Sequence, residues 1–202
     1  VSDLVVGDME AQIAAARIGA ERLVELIDRY GKSTFQAACD NVMDHAERLM
    51  RQAIAALPDG TYAATTFIDG YLDDPDPSRK ELPLCVAITI KGDEMVVDLT
   101  GTAPQVPDKP INMPLHGTVD IAIWLTVRSV LLDTAVHGHI PVNDGLVRPI
   151  EIIAPVGCLA NPIFPAPTIA RFCPGNQLAD TVMKALAGVA PSQVSEIGRA
   201  HV

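Results

Sequence analysis

The chain has 202 residues, 49% hydrophobic and 20% charged, with a mean hydropathy of +0.24. That is enough apolar material for one good core, or for one large domain with an appendage. Lys and Arg number 15 against 25 Asp and Glu, a formal net charge of -10, so no basic run is present to neutralise nucleic-acid phosphates or to hold an anionic membrane surface.

The first 58 residues read as a helical hairpin. Met9, Ile13, Ala16, Ala20, Leu23, Ile27 and Tyr30 recur at alternating spacings of four and three, which lays one narrow apolar seam along a helix. Asp8 and Glu10 lie towards its positive end, Arg29 and Lys32 near its negative end, and Gly31 supplies the stop. Ser33 and Gln36 have capping-box spacing for a second helix. Its apolar side carries Phe35, Ala38, Val42, Ala46, Leu49, Ala53 and Ala56, and Pro58-Asp59-Gly60 ends it. The short link predicts antiparallel neighbours, and the small Ala residues predict a close approach.

Residues 59–202 read as an α+β region. Thr61 to Asp69 is rich in strand formers, and a polar, Pro-broken loop follows. In "LCVAITIKGDEMVVDL" the residues Val86, Ile88 and Ile90, then Met95, Val97 and Leu99, alternate with their neighbours around Gly92-Asp93, which predicts a hairpin. "TGTAPQVPDKPINMP" is an irregular, Pro-rich connection. Beyond it Leu115 to Asp133 reads as a helix begun by Pro114, apolar on nearly every side and therefore buried centrally. Val147 to Ala154 contains another strand, and a last helix runs from about Asn176 to Gly188 with Leu178, Val182, Ala185 and Val189 inward. The expected fold is α+β, an antiparallel helical hairpin beside a mixed or antiparallel β-sheet packed on a buried central helix.

The most apolar run, Val119 to Leu132, contains Asp120 and Arg128 and is too short to span a bilayer. Asp3, Asp8 and Glu10 stand where a signal peptide needs positive charge, so a cytoplasmic protein is expected. Cys39, Cys85, Cys158 and Cys173, scattered without a C-x-x-C, then read as reduced thiols. Both ends of the chain look cut from something longer.

No P-loop, G-x-S-x-G elbow or G-x-G-x-x-G is present. His137 and His139 could share one side of an extended segment, but no third ligand joins them at helical spacing, which favours a loop pair without metal. Asp73, Asp74 and Asp76 lack the Gly and Glu of a calcium loop. More suggestive are three Asn residues beside prolines or turn residues: Asn112 in "PINMP", Asn143 in "PVNDG" and Asn161 in "ANPI". A carboxamide both donates and accepts, which suits recognition of amide or carboxylate groups. The competing reading is that they make Asx turns and nothing else. Arg171, just ahead of a helix N-terminus near Asn176, would favour an anion or a polarised carbonyl, or is an ordinary surface Arg beside an ordinary cap. The substrate-binding candidates are therefore Asn112, Asn143, Arg171 and Asn176, with no residue assigned as catalytic or as a metal ligand.

Five blocks in order carry a family likeness: "GDMEAQIAAARIGAERLVELIDRYG", "MRQAIAALPDGTY", "DLTGTAPQVPDKPINMPL", "IPVNDGLVRPIEIIAPVGCLANP" and "GNQLADTVMKALAG". Together they resemble the hydantoinase B/oxoprolinase family. That family includes the B-type components of ATP-dependent N-methylhydantoinases, the C-terminal half of 5-oxoprolinase, and related components of acetone and acetophenone carboxylases. Its chains are more than twice this length, so the resemblance implies an interior segment of a larger catalytic subunit, one that is inactive when isolated.

The family's upstream Asn-Asp-Pro stretch, its Gly-Gly-x-His run and a later Asp have no counterpart here. The resemblance places a divalent metal and much of the catalytic apparatus there, and no cofactor on this segment. It implies an A-type partner that uses ATP and Mg to phosphorylate an amide or ketone oxygen, in a hetero-oligomer. The B-type component then completes hydrolysis of the activated cyclic amide. The alternatives are carboxylation of an activated ketone, or a non-catalytic scaffold or interface segment.

Overall fold

The structure, a computed structural model, describes residues 2–132 and 137–190. The chain divides into two compact units, 1–45 and 46–202. The division falls inside the second helix rather than at its end near residue 58.

In the first unit, helix α1 spans Asp3–Tyr30 and α2 begins at Lys32 and runs to Ala55. Gly31 makes the break, as its position implied: with φ 81° it adopts a conformation that L side chains rarely take, and its N–H reaches Ile27 O. No capping box forms at Ser33, which lies inside α2, because Gly31 O already accepts from Phe35 N. No residue of α1 is buried, and Met9, Ile13, Leu23 and Tyr30 of the expected seam are exposed. The close helix–helix approach expected from the Ala-rich seams is therefore not made within this unit.

The second unit takes the end of α2, where Ala46, Met50 and Ile54 are buried at spacings of four. Four strands follow in chain order across one sheet: β1 (Gly60–Asp69), β2 (Glu81–Lys91), β3 (Glu94–Asp98) and β4 (Ile150–Ile153). The first two pairs are antiparallel and β3–β4 is parallel, so the long connection between them must cross over. The hairpin expected at Gly92-Asp93 is present. Leu82, Leu84, Val86, Ile88 and Ile90 of β2, with Met95 and Val97 of β3, all enter the core, as period-two alternation requires. Asp59 steadies this end of the sheet, its carboxylate accepting from Gly92 N at 2.8 Å.

Two expectations about helices need correction. The central helix does not begin at Leu115. A π-type turn over Leu115–Val119 comes first, with non-helical His116 and Gly117 (φ 90°), and α3 spans Asp120–Leu131. Asp120 supplies the carboxylate at that junction, accepting from Gly117 N at 2.8 Å and Ile121 N at 2.6 Å. Nor is α3 buried on every side: Ile123, Thr126, Val127, Val130 and Leu131 are inside, while Ile121 and Leu125 face out. The helix that lies on β1 and β2 is instead the last one, α4, and α3 packs beside α4. Helix α4 spans Phe172–Leu186, starting ahead of Asn176 because Pro174 in its first turn needs no intrahelical partner for its nitrogen. Leu178, Val182 and Ala185 are buried as expected, whereas Val189 lies beyond the helix end and is half-buried. Among the described residues, no helix is long and apolar enough to cross a membrane.

Candidate functional site

The Pro-rich connection of residues 101–114 is held along its length by backbone bonds to the loop after β4. Gln105 N reaches Gly157 O, Met113 N reaches Leu159 O, and Leu159 N reaches Ala103 O, all at 2.8–2.9 Å. Asn112 is the centre of this arrangement and is fully buried. Its Oδ1 accepts from Val106 N at 2.8 Å, and its Nδ2 donates to Val106 O and Pro167 O at 2.8 Å and to Lys109 O at 3.3 Å. Every polar function of the carboxamide is thereby satisfied by backbone, and the side chain faces the protein rather than a ligand. These bonds span three to fifty-five residues, so Asn112 braces the loop without forming a local Asx turn. Asn161 behaves similarly, its Nδ2 donating to Ala154 O at 2.9 Å.

The loop that Asn112 grips leads directly to Arg171. Ala170 N donates to Pro110 O at 2.8 Å, so residues 163–171 are tied to the same connection. Arg171 sits at the start of α4 with its guanidinium carbon 4.6 Å from the Phe172 ring centroid and only a 3.5 Å contact from Nη1 to Thr168 O. Asn176 is exposed one turn inside α4 and is not at the helix start. The same connection is clamped at its other side by Lys109, which donates to Gly70 O and lies 4.4 Å from the Tyr71 ring, while Arg79 lies 4.2 Å from that ring.

Asn143 lies in a different place. Its Oδ1 accepts from Gly145 N at 2.9 Å and caps the short 3-10 turn Asp144–Val147. With that turn it forms one wall of a groove of about 320 Å³, whose opposite wall is α3. The helix contributes Ile121, Trp124, Leu125 and Arg128, which share one face at spacings of three and four. Buried Met50 of α2 closes the base. The indole N–H of Trp124 is buried with no hydrogen-bond partner among the described residues. Arg128 forms no ion pair among the described residues. Sequence reasoning did not single out these α3 residues. The signal was present in the i, i+3, i+4, i+7 spacing of Ile121, Trp124, Leu125 and Arg128, hidden by a helix that reads as apolar all round.

Elsewhere, His116 is exposed, with Nδ1 3.6 Å from Asp120 Oδ2, and His137 lines a second cavity beside Leu49, Ala53 and Leu131. Among the described residues no group of three or more His, Cys, Asp or Glu is placed to hold a metal. The four cysteines are free thiols, and burial pushes that of Cys158 above its ordinary pKa. Glu47 of α2 is held below the usual carboxylate range by the hydrogen bond from Arg148 and then by that from Arg51.

A sequence profile described as hydantoinase B/oxoprolinase matches residues 1–201. The chain belongs to this family. The five sequence blocks point to the same assignment. Among relatives, the chain is 64% identical over 192 residues to a protein of Pseudomonas sp. (strain NS671) provisionally named as the B component of a D-/L-hydantoinase, an alignment covering 95% of this chain and 32% of that one. It is 32% identical over 193 residues to the beta chain of the caprolactamase of Pseudomonas jessenii, covering 94% and 31%.

The crystal structure of ATP-dependent caprolactamase from Pseudomonas jessenii superposes with a TM-score of 0.80 at 29% identity, over 96% of this chain and 32% of that one. The nucleotide-free structure of acetone carboxylase shares the fold, with a TM-score of 0.73 at 16% identity over 93% of this chain and 26% of that one. This chain thus spans about a third of the length of these hydantoinase and caprolactamase relatives.

Proposed function

We propose that this chain is part of a B-type component that completes the ATP-dependent hydrolysis of a cyclic amide. The observation that carries the reading is 64% identity along 95% of the chain to a protein named as the B component of a hydantoinase. The likeness to ATP-dependent caprolactamase in both sequence and fold supports it. Both names denote action on rings closed by an amide bond.

The chemistry explains why ATP and a second protein are required. Amide resonance makes the ring carbon a poor electrophile, and phosphorylating the carbonyl oxygen removes that resonance and turns the oxygen into a leaving group. An A-type partner carries out this step with ATP; in the B-type component water then adds to the activated carbon, the adduct expels the ring nitrogen as the amine and leaves an acyl phosphate, and a second water at that carbon releases inorganic phosphate and the carboxylate. A reactive imidate must be shielded from bulk solvent until the intended water reaches it. The braced connection of residues 101–114, held by Asn112, is a wall stiff enough for that purpose. Arg171, at the mouth of the same loop pair, is offered as a contact for an anionic or polarised oxygen of the substrate, and Asn143 and Asn176 as weaker candidates.

The test is substrate-dependent ATP turnover by the full-length protein with its A-type partner. The expected result is ADP release that depends on a hydantoin, a lactam or 5-oxoproline. Turnover that depends instead on bicarbonate and a ketone would replace this reading with carboxylation.

A further inference from the structure

We infer that α1 is a self-association surface, pairing antiparallel with α1 of a second copy of this chain about a two-fold axis between Ala16 and Ala20. The inference is independent of the function proposed above.

The starting observation is a long helix without packing. Helix α1 has 28 residues, none of them buried, and at the usual rise it is about 42 Å long. Helices in proteins draw most of their stability from packing an apolar face, not from propensity. Here that face is in water, with Met9, Ile13 and Leu23 58%, 53% and 45% exposed. An open apolar seam of this length marks a contact surface.

The period identifies what covers it. A helix lying on a globular surface repeats near 3.6 residues and shows a broad apolar stripe. From Met9 to Ile27 the seam steps by four, three, four, three and four residues, the narrow line of a coiled coil. Such a line fits a second helix of the same period, packed knobs into holes. The steps also read identically in both directions, and the side chains follow. Ala16 and Ala20 form the centre, Ile13 and Leu23 flank them, and Met9 and Ile27 lie outside those. A half-turn about the midpoint sets Ala16 of one copy on Ala20 of the other, Ile13 on Leu23, and Met9 on Ile27. The seam is therefore complementary to itself, as an isologous contact requires.

Gly19 supplies an independent sign of a close neighbour. It stands in mid-helix, where glycine weakens the helix, and an added Cβ would meet nothing within 4 Å. Nothing within the chain calls for a glycine there. In the paired arrangement Gly19 flanks the axis opposite Gly19 of the second copy, and with the two alanines it lets the backbones draw together.

Charge sets the direction. Asp3, Asp8 and Glu10 precede the first base of the helix, Arg17. Parallel pairing would gather both acidic groups at one end and align the helix dipoles. Antiparallel pairing opposes the dipoles and sets each acidic end beside the other copy's last turn, which carries Arg29. Beside the axis Arg17 meets Arg17 of the second copy, and Glu21 of its own helix lies one turn on to offset the repulsion.

Sedimentation tests the pairing. The 202-residue chain at micromolar concentration should run at twice its mass of 21.5 kDa. Ile13→Glu and Leu23→Lys should each give the monomer, with circular dichroism melts in place because neither side chain is buried. Combining the two should restore the dimer, since the axis sets the opposite charges against each other. A chain that is monomeric at every concentration would overturn the proposal, as would a dimer that survives Ile13→Glu. Failure of the double variant to recover would overturn the register.

A second measurement uses the full-length protein. Copies carrying Ala16→Cys and copies carrying Ala20→Cys, co-expressed under different tags, should form a disulfide between copies on mild oxidation. Neither variant should do so alone. A disulfide from Ala16→Cys alone would mean parallel pairing and contradict the axis. No disulfide from the mixture would assign the seam to the rest of the longer chain, and self-association would be wrong.

Discussion

Asn112 provides the sharpest perturbation, because its carboxamide joins three segments of the connection and its neighbouring loop to one another. Replacing it by Ala removes three hydrogen bonds of 2.8 Å and one of 3.3 Å. It leaves Val106 N–H, Val106 O and Pro167 O facing an enclosed space that the side chain had filled. Hydrogen bonds contribute about 1 kcal/mol each net, and a buried group left unpaired costs about 1–3 kcal/mol. Allowing for water entering part of the gap, the expected loss is about 3–5 kcal/mol, a large part of the roughly 5–15 kcal/mol that holds a typical domain. At this chain length that corresponds to a fall in Tm of roughly 6–20 °C.

The assay is urea denaturation followed by circular dichroism, with limited proteolysis reporting whether residues 104–114 become cleavable first. Asn112→Asp is the informative companion. It keeps an oxygen for Val106 N–H but turns another oxygen towards Val106 O and Pro167 O, so it should cost at least as much as Ala. A loss below about 1 kcal/mol for Ala, or native stability for Asp, would refute the bracing role.

Other predictions follow from single contacts. Gly70→Ala should be strongly destabilising, since an added Cβ would sit 2.3 Å from Arg79 O, a backbone atom that cannot swing away; a melt unchanged from the parent would contradict the loop geometry. Glu47→Gln should lower stability at neutral pH by less than about 1 kcal/mol, because the pairs with Arg148 and Arg51 are partly solvated. Because the folded carboxyl titrates below its usual 4.5, the parent holds this contribution above that pH and loses it as pH falls through the folded value. The variant should therefore show a flatter acid limb, and parallel limbs would argue against the pairing. The thiols should differ in kind: exposed Cys173 should alkylate readily in the native chain, and buried Cys158 only on unfolding. The Cys158 thiol is raised above its usual 9.0, so any stability it lends is present below that pH and lost as pH rises through its folded value. Equal alkylation rates by mass spectrometry would refute the burial.

What the sequence made legible was whatever repeats locally. The β2–β3 hairpin, the inward residues of α4 and the Gly31 break each follow from a period or a single backbone demand within a few residues. The boundaries of α3 were not legible, because Asp120 can accept from Gly117 N only once Gly117 has turned the chain, and the apolar run conceals both. The roles of the Asn residues divided for the same reason. Capping by Asn143 is a two-residue affair that its "NDG" context announces. The partners of Asn112 include Pro167, fifty-five residues away, and no local pattern encodes that contact. The α3 groove escaped notice because its facing wall, Val142 to Val147, is joined to the helix only in three dimensions.

The most direct test of the central claim follows one oxygen atom. The full-length protein and its A-type partner would be given ATP and a lactam or hydantoin carrying ¹⁸O in the scissile carbonyl, and the inorganic phosphate analysed by mass spectrometry. If the carbonyl oxygen is phosphorylated, the ring C–N bond then breaks and water attacks the carbon of the resulting acyl phosphate, the label appears in phosphate. Label retained in the ring-opened carboxylate, with unlabelled phosphate, would contradict the account.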